Sequence, residues 1–449
     1  VIIFGGPESG YNSDELLKKY NFIDTIIRGE GEIIIGKVLE LIQQGKRPNR
    51  FYQGECVDLN SLKFPYTTLD IENLKNKILY FETSRGCPFR CAYCLSSADS
   101  NGIRYFPMEY VKKGFKFFFD KKVPLVKLID RTFNCDSKRA VEIVNYIIEN
   151  STATKVHFEI EASILTDELI SVLNSAPKDM FQIEVGVQTI NHEALTAVNR
   201  NYDLEKIRYN IRRLTEPKNI HIHLDLIAGL PFEDYNSFIK SFNFVYSMSP
   251  DMLQLGFLKV LKGTQVSERF TSDIKYAEFP PYEVISTKWI SASELLKLKK
   301  VENAVDMFYN SGKFFNSIRS ISEKPPYDNN PYSLFEQLGE KVKSSEKAGK
   351  LANTAFYEIL YEIFGDCIIE ELAVDFIKNN KTARLPKFLH REMSKSFKTH
   401  CIELINNPNF VESYKISGNL KDLRFEHILN KVFVMDYSNN LFFDITEWF

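Results

Sequence analysis

Three cysteines fall within eight positions, Cys87, Cys91 and Cys94, in the stretch RGCPFRCAYC over residues 85–94. The Cys-x3-Cys-x2-Cys run follows a candidate strand directly, so all three thiolates sit on one tight loop. Three thiolates can hold three irons of a cubane cluster and leave the fourth iron open to another ligand. A structural zinc needs four protein ligands, and the nearest further donors, Cys135 and His157, are remote in the chain. The spacing therefore predicts an iron–sulfur cluster, with Cys87, Cys91 and Cys94 as its ligands and as the catalytic centre. The other four cysteines (Cys56, Cys135, Cys367, Cys401) are scattered and are expected to be buried thiols. An odd, uneven set in a chain this long is not a secreted disulfide framework, and it predicts a reducing, cytoplasmic setting.

A second group of polar residues is set by the elements around that loop. From about Ile78 to Thr264, candidate strands alternate with amphipathic helical stretches: ILYFET (78–83), LVKLID (125–130), VHFEIE (156–161), FQIEVGV (181–187), IHLDLI (222–227) and LQLGFL (253–258). Six βα units predict an α/β fold with a partial (β/α)6 TIM-like barrel; pattern alone also allows a doubly wound open sheet. Barrel enzymes carry their chemistry at the carboxyl ends of the strands. Glu161 ends the third strand here, Gln188 follows the fourth, and Asp225 lies near the end of the fifth, with Arg200 twelve residues after Gln188. A guanidinium suits a carboxylate, and carboxylates suit ribose hydroxyls or an ammonium. Each also has a plain structural reading: a cap or ion pair for Glu161 and Asp225, a turn for Gln188, a solvated helix charge for Arg200.

The flanks differ in character. Val1–Phe4 reads as the end of a buried strand, opening without Met, and the chain is expected to be truncated at its front. Strand, loop, helix, strand and helix fill residues 1–60, and residues 61–77 are read as a linker at the end of a proline- and polar-rich stretch. The barrel is placed at 78–270 and a mostly helical C-terminal domain at 275–449. There Ser291-x-x-Glu294 is a capping box before a helix with Leu295, Leu298, Val301 and Val305 on one face. Leu351, Ala355, Ile359 and Ile363 mark a second helix, and VFVMDY with LFFDI a hairpin. Of 449 residues, 44% are hydrophobic and 26% charged, which excludes a disordered tail or a fibre. A net charge of -2 gives no bulk attraction to nucleic acid or anionic lipid. No apolar run approaches the ~18 residues of a membrane span, and no signal peptide is visible.

The cysteine motif resembles that of the radical S-adenosylmethionine (SAM) superfamily, and the resemblance spans about residues 76–265. It implies a [4Fe-4S] cluster whose open iron takes the amino and carboxylate groups of SAM. One electron then cleaves the sulfonium and releases a 5′-deoxyadenosyl radical. A flavodoxin- or ferredoxin-type protein would supply the electron. In that family the residue before the last cysteine, here Tyr93, lies near the adenine. Glu161, Gln188, Arg200 and Asp225 are similar in order and spacing to the SAM contacts of oxygen-independent coproporphyrinogen oxidases, with Arg200 on the methionine carboxylate. The LIAGLP segment, with Ile227, matches a strand end that touches adenine. One departure stands: where the family often has a Gly-Gly-Glu segment, this chain reads Leu128-Ile129-Asp130-Arg131-Thr132, and Asp130 is carried as a further cofactor contact.

Gly5-Gly6-Pro7 and IIRGEGE resemble the C-terminal half of the Rossmann-like cobalamin-binding domain that precedes many such enzymes. Paired glycines let the backbone approach the cofactor, so Gly5 and Gly6 are the candidate contacts. Cobalamin is expected only with the upstream half of that domain in place. The helical tail resembles that of a bacterial cobalamin-type radical group. Together these resemblances imply methyl transfer to an unactivated carbon of a small-molecule or peptide substrate. A non-methylating rearrangement or oxidation, and a cluster used only for electron transfer or sensing, are the competing readings.

Overall fold

The computed structural model describes residues 1–74, 77–97, 102–151, 153–346, 353–381, 383–389, 395–417 and 419–449. They form two compact units, Val1–Leu295 and Leu296–Phe449.

The first unit holds two parallel sheets. In the smaller, Ile3–Gly5, Thr25–Arg28 and Phe51–Gln53 pair in sequence order, with helix Glu32–Gln43 between the last two. The reading of Val1–Phe4 as buried is corrected here. Val1, Ile2 and Phe4 are 68%, 43% and 36% exposed, because the strand is an edge strand partnered on one side only. The three-residue strand Phe51–Gln53 lies in the proline-rich stretch and is too short to display alternation.

The expected linker at 61–77 is also corrected. Its residues 75 and 76 lie outside the described set; of the rest, Phe64 and Tyr66 pack against the barrel. The Phe64 ring sits 5.1–6.4 Å from those of Phe81, Tyr110, Phe117 and Phe118. Tyr66 Oη donates to Tyr80 O (2.8 Å) and accepts from Tyr80 N–H (3.0 Å), and a Thr67/Asp70 capping box opens helix Thr68–Asn73. Buried aromatic area outweighs the turn signal of Pro65.

The larger sheet has six strands: Leu79–Phe81, Leu125–Leu128, Lys155–Ile160, Phe181–Gln188, His221–Ala228 and Met252–Phe257. They pair in sequence order and every pair is parallel. A doubly wound sheet reverses its strand order part-way; this one does not, so the partial barrel is the architecture. Alternation puts Leu128, Phe158, Ile160, Val185, Leu224 and Leu226 on the buried outer face, each at most 5% exposed. The same alternation puts Lys127, His157, Glu159, Glu184 and Asp225 on the inner face. Glu184 there takes Lys127 Nζ at 3.3 Å and His157 Nε2 at 3.1 Å.

At the end of this unit the predicted capping box forms: Ser291 N–H donates to Glu294 Oε2 (2.8 Å) and Glu294 N–H to Ser291 Oγ (3.3 Å). The helix it opens, Ala292–Ala304, continues into the second unit. That unit is helical up to Tyr414 and then closes with an antiparallel sheet of Leu423–Ile428, Lys431–Asp436 and Leu441–Asp444. The predicted hairpin is the last two of these strands. The expected second helix is Ala355–Phe364, and Leu351 lies outside the described residues. Among the described residues no helix is long and apolar enough to cross a membrane.

Candidate active site

The loop carrying the cysteines leaves the first barrel strand under tight constraint. Asp130, just past the second strand and 1% exposed, accepts from Thr83 N–H (2.8 Å), Thr83 Oγ (2.5 Å) and Ser84 Oγ (2.6 Å). Both oxygens of Asp130 accept from the strand end, so Asp130 positions the loop. Burial pushes its carboxyl above the usual range, against those hydrogen bonds. Asp130→Ala strands the buried Thr83 N–H and should cost about 2–4 kcal/mol. An unchanged denaturation midpoint would count against this role.

Beyond Ser84 the chain turns at Gly86 (φ 92°), where a Cβ would lie 2.1 Å from the Gly102 carbonyl; only glycine fits. Ala92 N–H donates to Val198 O and Val266 N–H to Ala92 O, both at 2.9 Å, so the end of one later helix and the start of another stitch the cysteine turn in place. Cys87 and Cys91 are buried, Cys94 is half-buried, and Cys87 Sγ lies 3.6 Å from Thr132 Oγ1. Among the described residues no three His, Cys, Asp or Glu side chains converge as a single-ion site. Three thiols on one loop, without a fourth donor, suit a cubane with one open iron.

Arg200 sits against this loop. Its Nη1 donates to Tyr93 Oη (2.9 Å) and to Cys91 Sγ (3.5 Å); its Nη2 donates to Gly186 O (2.6 Å) and pairs with Glu161 Oε2 (3.1 Å). The guanidinium lies 4.4 Å from the Tyr202 ring centroid, and its Nε is buried without a hydrogen-bond partner among the described residues. Glu161 is held in turn. Its Oε1 accepts from Ser163 N–H (3.0 Å), and Asn134 clamps its backbone N–H and C=O, both at 2.9 Å. Burial raises the Cys91 thiol and the Tyr93 phenol, while Arg200 opposes both.

The fourth strand ends in a bulge. Asp225 pairs with Gly186 but Leu226 with Gln188, so Val187 is the extra residue. Gln188 (φ 69°) folds back over Gly186, where a Cβ would lie 2.1 Å from its Nε2. The Gln188 Oε1 and Asp225 Oδ1 atoms are buried without hydrogen-bond partners among the described residues. Burial, with Glu184 adjacent, holds the Asp225 carboxyl well above the carboxylate range. Ile227 is half-buried on the next strand, in register with Gly256.

Gly5 and Gly6 line a separate cavity of about 740 Å³, with Phe4, Ile27, Glu30, Glu32 and Arg85 among its walls. Gly6 (φ 88°, ψ 173°) occupies a glycine-only conformation, and a Cβ on it would project into open space.

The family described as the Radical SAM superfamily matches residues 81–245, which contain the cysteine loop, Glu161, Gln188, Arg200 and Asp225. Residues 81–245 are thus similar to a radical SAM domain. Such a domain works with a [4Fe-4S] cluster and SAM. Residues 271–446 match a second family, described as a protein of unknown function (DUF4080). The 2-(S-pantetheinyl)-carbapenam-3-carboxylate methyltransferase of Streptantibioticus cattleyicolor is 23% identical over 271 residues, 53% of this chain and 39% of that protein. The cobalamin-dependent radical SAM methyltransferase TokK of Streptomyces tokunonensis is 22% identical over 273 residues, with the same two shares. In fold, the chain resembles the radical SAM methyltransferase TsrM from Kitasatospora setae, solved with cobalamin and a [4Fe-4S] cluster. The TM-score is 0.51 at 14% identity, covering 62% of this chain and 61% of that one. The chain thus spans about two fifths of the length of both curated relatives.

Tyr93, Glu161, Gln188 and Arg200 thus come together around one cysteine loop, Asp130 is engaged by Thr83 and Ser84, and Gly5 and Gly6, outside residues 81–245, line another cavity. Of the cysteines expected as buried thiols, only Cys401 is buried; Cys56 and Cys367 are exposed, although the residues that follow them, Val57 and Ile368, are buried. Cys135 is half-buried, and burial followed by the nearby Cys87 pushes its thiol up to about 12.

Glu233, in the same domain, carries no sequence signal beyond its place after Pro231. It is 1% exposed, accepts from Thr189 Oγ1 (2.5 Å) and Ser241 Oγ (3.2 Å), and burial pushes it up to about 8. Above its unfolded value near 4.5 the folded chain keeps a proton that the unfolded chain releases, so stability should fall as pH rises from 4.5 toward 8. Glu233→Gln should flatten that decline. Thermal midpoints near pH 5 and near pH 8 decide it, and an equal decline in both proteins would refute the assignment.

Proposed function

We propose that this chain is a cobalamin-class radical SAM enzyme that transfers a methyl group to an unactivated carbon. The observation that carries the reading is the pairing of two sites in one compact unit: a three-thiolate loop held by Arg200, and a glycine-walled cavity beside the base of that loop. A cluster held by Cys87, Cys91 and Cys94 would supply one low-potential electron to SAM, taken from a flavodoxin- or ferredoxin-type donor.

The protein's own residues then have separable roles. Cys87, Cys91 and Cys94 are the ligand set. Arg200, fixed by Glu161 and the Gly186 carbonyl, supplies positive charge where a methionine carboxylate would lie. The orphaned acceptors on Gln188 and Asp225 are the atoms a polar ligand would satisfy. Tyr93 and Ile227 supply surface for the adenine.

The cavity fits a cobalamin by its composition. Glycines at 5, 6, 29 and 31 leave backbone exposed, Ile3, Phe4, Ile27 and Ile35 are apolar, and Glu30, Glu32 and Glu82 offer acceptors to the amide groups that fringe a corrin. Measured with the upstream half of the domain in place, Gly6→Leu should fill the open space and weaken hydroxocobalamin binding by at least about tenfold, roughly 1.4 kcal/mol. Iron content and SAM cleavage should stay unchanged. Equilibrium titration of both proteins tests it. Equal affinity would place the corrin elsewhere and remove the support for methyl transfer.

A further inference from the structure

The ion cluster between the cavity and the cysteine loop does more than close a wall. Arg85 stands two residues before Cys87, and its guanidinium meets three carboxylates. Its Nε and Nη2 both contact Glu82 Oε2 at 2.9 Å, its Nη2 lies 2.7 Å from Glu32 Oε1, and its Nη1 lies 3.3 Å from Glu30 Oε2. Glu30 and Glu32 belong to the RGEGE segment of the smaller sheet, and all four side chains line the cavity. Glu30 is pinned further by Arg104 and by the Val57 N–H, at 2.8 Å. Arg104 is the register partner of Arg85 in a two-residue antiparallel ribbon.

The ribbon has little slack. Gly86 packs directly on the Gly102 carbonyl, and Asp130 holds Ser84 on the other side of Arg85. A displacement of the guanidinium is therefore passed along the backbone toward Cys87 rather than absorbed. The carboxylates that fix Arg85 are the same ones that a cavity ligand with amide or ammonium donors would engage.

We propose that Arg85 is a positioning residue that couples the cavity wall to the cysteine loop, so that the state of the Glu30–Glu32 segment sets the environment of the cluster. The proposal rests on the cluster reading above, and it does not require that the cavity ligand be cobalamin. A ligand drawing on Glu30 or Glu32 shifts the cluster, and by linkage the cluster's oxidation state shifts that ligand's affinity by the same factor.

The test is a double-mutant cycle in the full chain, reconstituted anaerobically with iron and sulfide. Arg85→Lys keeps the charge and loses the fork; Glu32→Gln removes one carboxylate from the opposite end of the clamp. Iron content, the electron paramagnetic resonance spectrum of the reduced cluster and its midpoint potential are the readouts. Each single variant should retain its iron and shift both spectrum and potential. The double variant should shift no further than Arg85→Lys alone, because Glu32 acts through Arg85. Glu15→Gln, which removes a different ion pair, with Lys262, should leave the wild-type spectrum. Additive shifts from the two variants would show a through-space charge effect and overturn the proposal, as would a wild-type spectrum in Glu32→Gln. Should Arg85→Lys fail to fold, Arg104→Lys with Glu30→Gln gives the corresponding cycle on the Glu30 arm of the clamp. Absence of iron in the wild-type chain would defeat the cluster reading itself, a separate outcome.

Discussion

Replacing Cys87, Cys91 and Cys94 together by Ala will leave a folded protein that takes up no cluster and forms no 5′-deoxyadenosine. Each thiolate is expected to hold one iron of the cubane, and no other cysteine or histidine shares their loop, so nothing local can substitute. The fold should survive, because the loop is stitched by backbone hydrogen bonds through Ala92, Val198 and Val266 that a change of side chain leaves intact. Iron analysis and far-ultraviolet circular dichroism on wild type and variant measure both halves of the expectation. Retention of iron by the triple variant, or stoichiometric zinc and no iron in the wild type, would remove the cluster from this loop.

The second large effect is expected at Arg200. Arg200→Ala should weaken SAM binding by roughly tenfold to a hundredfold, the scale of a charge-assisted contact worth about 1.5–3 kcal/mol. Arg200→Lys should restore little of it. The guanidinium serves Tyr93, Cys91, Glu161 and the Gly186 carbonyl at once, and an ammonium has three donors and no fork. Titration followed by cluster spectroscopy gives the affinity, and iron content gives the control. Wild-type affinity in Arg200→Ala excludes the residue from the SAM site. Loss of iron instead would show that its contacts with Cys91 and Tyr93 build the loop rather than bind the ligand.

Much of the barrel was legible because its signals are local. Each of the six strands alternates or runs apolar for several residues, and each observed strand begins and ends within two residues of the segment read from the sequence. Cys87, Cys91 and Cys94 were legible for the same reason, since their chemistry lies in spacing along one loop. What escaped depends on partners far apart in sequence. Asp130 stands where the resembled family has its Gly-Gly-Glu segment, and its hydrogen-bond partners Thr83 and Ser84 lie 46–47 residues away. The Arg85 clamp joins residues 53–55 positions apart across two sheets, and no periodicity encodes that. Residues 61–77 were misjudged because Pro65 is visible locally, whereas the packing of Phe64 on Phe81 and Phe118 is not. Gly186 passed without notice, since its need for a missing Cβ is set by Gln188 folding back over it.

The most direct test of the central claim is reductive cleavage of SAM by the wild-type chain alone. The protein is reconstituted without oxygen, supplied with SAM and a strong one-electron reductant, and the products are quantified by mass spectrometry. We expect 5′-deoxyadenosine and methionine in equal amounts, formed slowly without any acceptor substrate and absent from the triple cysteine variant. Intact SAM after incubation with a fully iron-loaded, reduced protein would contradict the account.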